Sequence, residues 1–183
     1  MSRTLTLDVF DRKSIDRCMR QMQDYSKWVH KKAGELQRRV AELMRERAQQ
    51  IFDTSVSDNR FSVEDGMAVD DTQIGGVSVF VKNDGNVTLV IASGKDAVFM
   101  EFGAGVYFNG PAGSSPHPRG AELGFTIGSY GKGQGVRNVW GFKDEDGVVH
   151  LSHGVPASMP MYRAMQGVIE DIAKIAQEVF SRD

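Results

Sequence analysis

A single cysteine, Cys18, stands in 183 residues, so no disulfide can form within the chain. The fold cannot draw stability from oxidation, and the chain is expected to suit a reducing cytoplasm. Long apolar runs are missing too. None approaches the ~20 residues that span a bilayer, and the N-terminal MSRTLTLDVFDRK lacks the apolar centre of a signal peptide. Neither sign of charge predominates: 22 basic and 24 acidic side chains give a net charge of −2. That balance excludes a global electrostatic drive toward nucleic acid or an anionic membrane. Proline is scarce, with three of the five residues between 103 and 138.

Familiar catalytic and cofactor motifs are also absent. A phosphate-binding loop needs glycine five residues before Gly-Lys and a hydroxyl after it. Here Gly131-Lys132 is followed by Gly133, and the leading position is Thr126. A dinucleotide fingerprint from Gly103 and Gly105 would need a third glycine where Phe108 stands. No GxSxG elbow occurs, and Asp144-Glu145-Asp146-Gly147 is too short for a calcium loop and reads as a turn. Cys18 lies on the apolar stripe of an expected helix, where an inert thiol is the rule. His150 and His153, with His117 or Glu101, offer a possible zinc set. The i,i+3 spacing suits a helix, however, whereas on a strand it turns the two rings to opposite faces. The expectation is therefore no catalysis, no cofactor, no metal and no small-molecule substrate.

The elements that are present suggest one α+β domain over residues 1–183. Residues 4–9 alternate as a short strand. From Ile15, apolar residues recur at steps of three and four to Phe52, which predicts a helical arm over 14–52. Unbroken, it would be one helix roughly 58 Å long; bent or broken near Asp24 or Gly34, it would be a helix pair. The opposite face carries charge, including a Glu35–Arg39 pair at i,i+4. Residues 53–76 read as a connecting loop. A meander over 77–102 follows: strands at 77–82, 87–92 and 97–102, the middle one apolar throughout and expected to be central and buried, with an Asp84-Gly85 turn. Ten of the 20 glycines lie in 103–138, a long loop expected to order only on assembly. A hairpin is expected over 139–151. A C-terminal helix over 158–181 is capped by Ser158 and opened by Pro160.

Two stretches stand out, DAVFMEFGAG at 96–105 and HGVPASMPMYRAM at 153–165. With His117-Pro118, Gly131-Lys132-Gly133, Trp140-Gly141 and His153-Gly154 between or beside them, their order resembles the head–tail joining, or tail-completion, proteins of long-tailed bacteriophages and prophages, including the minor tail protein Z-like group. One departure is at Asp70-Asp71-Thr72-Gln73-Ile74-Gly75, a loose counterpart of a stretch common in that family. The resemblance implies an α+β fold whose sheet packs against the long helix and the C-terminal helix, and a non-enzymatic structural protein of the virion neck, assembled in the bacterial cytoplasm, often as a ring. It implies as partners other copies of itself, the connector, and tail-terminator or tail-tube proteins. The candidate assembly surface comprises Glu101, Phe102, Gly103, Gly105, Tyr107, His117, Pro118, Lys132, Trp140, His153, Pro156, Met159 and Pro160. A metal-dependent hydrolase using the histidines, and a nucleic-acid-binding module using the arginine-rich helix face, are the competing readings; charge balance argues against the second, and against sequence-specific binding in particular.

Overall fold

The computed structural model describes residues 6–56, 60–64, 67–71, 74–104, 115–125, 139–143 and 146–181. Helix α1 (Arg12–Thr54) runs unbroken for 43 residues, through both Asp24 and Gly34. Its continuity follows from the sequence: no proline interrupts it, and the single Gly34 costs only about 1 kcal/mol of propensity. Among the described residues three antiparallel hairpins follow, β1 (Arg60–Glu64) with β2 (Met67–Asp71), β3 (Ser78–Asp84) with β4 (Val87–Ser93), and β5 (Trp140–Lys143) with β6 (Val149–Ser152). Helix α2 (Ala97–Phe102) lies between the second and third hairpins, and α3 (Pro160–Ser181) closes the chain. The class is α+β, as expected. No helix among the described residues is long and apolar enough to cross a membrane.

Four expectations need correction. Of the strand expected over 4–9, residues 6–9 form coil and a turn, while 4 and 5 lie outside the described residues. Residues 53–76 contain the last two residues of α1 and the β1–β2 hairpin, with Val69 fully buried. The third meander strand, 97–102, is helix α2 instead, so the meander is a two-stranded hairpin followed by a helix. The apolar strand β4 is therefore not central. Val87 and Leu89 are exposed, while Val90 and Ala92 pack inward.

The chain divides into two compact units, Met1–Val40 with Asp171–Asp183, and Ala41–Glu170. In the first, α1 and the end of α3 pack together. Trp28 meets Phe180 edge to face at 5.8 Å, and Arg39 pairs with Glu35 at 3.0 Å and reaches Glu178 at 3.9 Å. Val179 is fully buried there.

The second unit holds the main core. Ala48 and Phe52 of α1, Val77, Val79, Met100 of α2 and Ala164 of α3 form one cluster, with Met44, Val90, Ala92 and Met161 packed on it. Burying side chains such as Phe52 or Met100 contributes about 1.5–3 kcal/mol each. Strand alternation explains which face is used: Val79 pairs with Ala92 and Val81 with Val90 on the inner face, whereas Phe80, Leu89 and Val87 point outward. Between Asp84 and Val87 the turn has two residues, and Gly85 at φ 60° supplies the left-handed conformation it needs. The hairpin is tied to α1 by Gln49, whose amide donates to the Val77 carbonyl (3.0 Å) and accepts from the Val79 N–H (2.8 Å). A side-chain amide thus takes the place of a neighbouring strand's peptide group.

Candidate functional site

The two stretches singled out in the sequence meet at the first turn of α3. That turn, Pro160-Met161-Tyr162-Arg163, contains no acidic residue to oppose the positive end of the helix. Ser158, expected to cap it, donates its hydroxyl to the Met100 carbonyl instead (3.1 Å). The cap comes from α2. Glu101 Oε2 accepts the Met161 N–H at 2.8 Å, and Oε1 accepts the Tyr162 N–H at 2.9 Å. A carboxylate sixty residues upstream therefore satisfies two of the donors that every helix N-terminus leaves open. Pro160, buried just before them, has no N–H to satisfy.

Glu101 has a third partner. His117 Nε2 lies 3.1 Å from Oε1, and both residues are more than nine-tenths buried. The Arg119 N–H donates to His117 Nδ1 at 3.1 Å. Nδ1 is thus the acceptor, which assigns the proton to Nε2 and makes His117 the donor to Glu101. The ring also lies 4.6 Å from Phe102 and 5.2 Å from Tyr162, and Phe102 stacks on Phe125 at 4.0 Å.

Backbone geometry fixes these groups. Asp96 opens α2 but sends its carboxylate to the Gly75 N–H (3.1 Å). Gly103, at φ 76°, ends the helix with its N–H on the Phe99 carbonyl. The chain then pairs Ala104 with Val155, and the Met100 carbonyl also accepts the Ser158 and Met159 N–H groups. Met159 takes φ 53°, a conformation costly for a side chain of that size and held by these bonds. Residues 115–125 close on themselves through Ser115 N–H to Phe125 carbonyl and Phe125 N–H to Gly120 carbonyl. The Ser115 hydroxyl donates to the Phe102 carbonyl. A Cβ on Gly120 would stand 2.7 Å from Ser115 Cβ, so this position requires glycine. At the surface of the turn, Arg119 forms a two-point pair with Glu122.

Of the expected assembly residues, Glu101, Phe102, Gly103, His117, Met159 and Pro160 converge at this site. Glu101, His117 and Pro160 are buried within the chain, so they act on any surface through the shape they hold. Pro118 and Pro156 are exposed, and His153 is half-buried beyond β6. Trp140 begins β5 opposite Ser152. Gly105, Tyr107 and Lys132 lie outside the described residues, as does most of 103–138; the 115–125 portion forms the closed turn just described. Ser115 and Gln49 are structural partners that the sequence reading did not single out.

Among the described residues, no group of three or more His, Cys, Asp or Glu side chains is arranged to hold a metal ion. His117 is directed at Glu101, while His150 sits on β6 opposite Phe142. The chemistry of the site is that of a buried polar clamp joining α2, the 115–125 turn and α3.

No known protein family matches the chain, and no curated protein and no solved structure shows significant similarity to it.

Proposed function

We propose that this chain is a non-enzymatic structural protein of a tailed phage or prophage that joins head to tail, or completes the tail, at the virion neck as part of a ring. The observation that carries the reading is the contact between its two diagnostic stretches. The glutamate of 96–105 caps the helix begun by 156–164, so the residues that resemble neck proteins belong to one physical device. The surface is in keeping with an assembly part. Large apolar side chains stand exposed on α1, on the outer face of β3–β4 and on α3, among them Met19, Met22, Phe80, Leu89 and Ile169. Its partners in this reading are further copies of itself, the connector and the tail-terminator or tail-tube proteins, and it assembles in the bacterial cytoplasm.

The test is deletion of the gene from its phage or prophage and electron microscopy of the lysate. Filled heads beside separate or aberrant tails, restored to whole particles by the wild-type gene, are expected. Normal infectious particles from the deletion would overturn the reading.

A further inference from the structure

One face of α1 carries a line of cations. Steps of four and three residues from Lys13 to Arg38 trace a single ridge along the helix, all within the first unit. Six of its eight positions are basic: Lys13, Arg17, Arg20, Lys27, Lys31 and Arg38. Asp24 and Gly34 fill the other two, and all eight are exposed. Among the described residues, none of the six cations has a hydrogen bond or ion pair. Of the acids beside the ridge, Asp16 and Glu35, the second is already taken by Arg39 at 3.0 Å. Farther along the same helix the pattern changes, and Arg45 pairs with Glu42 at 2.7 Å. Lys13 with Arg17, and Lys27 with Lys31, are like charges at i,i+4, which weaken a helix unless an outside anion meets them.

The make-up of the ridge selects its partner. It has no apolar or aromatic member, whereas protein interfaces centre on such side chains and are depleted in lysine. A lipid surface would take the other side of the arm, where Ile15, Met19 and Met22 stand exposed, and leave the ridge facing away. The ridge also continues to Arg38, whereas the exposed large apolar residues of this segment end at Tyr25. A polymer of phosphates fits instead. From Lys13 to Arg38 the unbroken helix covers about 38 Å, and duplex DNA carries about one charge per 1.7 Å of its axis. Arginine and lysine reach phosphates without reading bases. The net charge of −2 does not oppose this contact, because exposed charges more than about 8–10 Å away are largely screened.

We infer that the ridge from Lys13 to Arg38 binds the phosphate backbone of nucleic acid, without regard to sequence. This property goes beyond the neck function proposed above and does not rest on it.

The test is fluorescence anisotropy of two labelled DNA duplexes of unrelated sequence, titrated with the purified full-length chain between about 50 and 200 mM salt. Both duplexes are expected to bind equally. Log affinity should fall against log salt with a slope of about −4 to −5, the value for about four to six neutralised phosphates. Arg17→Gln, Arg20→Gln and Lys27→Gln combined keep helix propensity and should bind at least about tenfold more weakly, with a shallower slope. Lys82→Gln, Lys95→Gln and Lys143→Gln combined remove the same charge from exposed lysines off the ridge and should bind like wild type. Asp24→Lys extends the ridge and should bind several-fold more tightly. Unchanged circular dichroism shows that each variant folds.

No binding by the wild type at the lowest salt overturns the inference, as does no gain from Asp24→Lys. Equal losses in the two triple variants overturn it too, because net charge would then be the cause. Preference for phosphatidylserine vesicles over the duplex would assign the arm to a membrane. Competition by polyglutamate as strong as by duplex of equal charge would assign the ridge to an acidic protein. Either result overturns the inference. DNA binding is read on the purified chain and neck function in the phage, so each proposal can fail without the other.

Discussion

Replacing Glu101 isolates the clamp that joins α2 to α3. Glu101→Gln keeps the shape and one acceptor oxygen but substitutes an NH2 group for the other. Whichever way the amide turns, at least one of the Met161 N–H, the Tyr162 N–H and the His117 Nε2–H faces a donor instead of an acceptor. A buried donor left without a partner costs about 1–3 kcal/mol, and a hydrogen bond to a charged group is stronger than one to a neutral amide. Loss of the negative charge at the helix start adds a few tenths to about 1 kcal/mol. The expected total is about 2–4 kcal/mol. Glu101→Ala strands all three donors and opens a small cavity, for about 3–5 kcal/mol. Urea denaturation followed by circular dichroism reads both, as a fall in the midpoint with the slope unchanged. In a chain of this size, about 2–4 °C of melting temperature is lost per kcal/mol, so Glu101→Gln should melt about 5–15 °C lower. A Glu101→Gln variant within about 0.5 kcal/mol of wild type would refute the argument, because no buried donor could then depend on that oxygen.

His117→Gln should cost less than Glu101→Ala, about 1–2 kcal/mol, since the helix N–H groups keep their acceptor; equal losses in urea would mean that the histidine, not the cap, holds the clamp. Gln49→Leu removes the bonds to the Val77 carbonyl and the Val79 N–H while keeping apolar bulk, and should cost about 1–3 kcal/mol, with faster amide exchange at Val79 as the local readout. Two glycines should respond in opposite directions in thermal melts: Gly120→Ala forces a Cβ against Ser115 and costs about 1–3 kcal/mol, whereas Gly34→Ala meets nothing and should stabilise by about 0.5–1 kcal/mol. At the exposed Arg119–Glu122 pair, the hydrogen bond from Arg119, and then its charge, holds the Glu122 carboxyl below the usual carboxylate range. A depressed carboxylate stabilises above its unfolded value and loses that contribution as pH falls through its folded one. Arg119→Ala should therefore lie within error of wild type in urea at neutral pH, any small deficit vanishing in acid; a large deficit would show that the pair is not merely a surface contact.

Much of this architecture was legible from local signals. Apolar steps of three and four marked α1, Asp84-Gly85 marked the β3–β4 hairpin, and Pro160 marked the start of α3. The β1–β2 hairpin also has a local signal, the Asp65-Gly66 dipeptide between RFSVE and MAVDD, set in a polar stretch that otherwise reads as a connecting loop. Helix α2 is a different case. Ala97-Val98-Phe99-Met100-Glu101-Phe102 is rich in strand-forming residues, and what favours the helix is tertiary: Met100 enters the core, its carbonyl receives Ser158 and Met159, and Glu101 reaches α3. The same distance hid the clamp. Ser158 looked like the cap because capping is usually local, and nothing in sequence spacing ties Glu101 to an amide sixty residues away. The competition between the middle of β4 as a central strand and as an exposed one was likewise undecidable without knowing that residues 97–102 do not pair with it.

The remote cap also makes α3 a reporter. Its second and third amides are protected by a side chain from α2, which is itself steadied by a ring from the 115–125 turn. Any event that loosens that turn, such as docking of a partner on it, weakens the grip on the Met161 and Tyr162 amides before the rest of the helix is disturbed. Those two protons should exchange together with the turn as one cooperative unit, ahead of the helix interior. Two backbone signals on α3 would then record what happens in a segment some forty residues earlier in the chain.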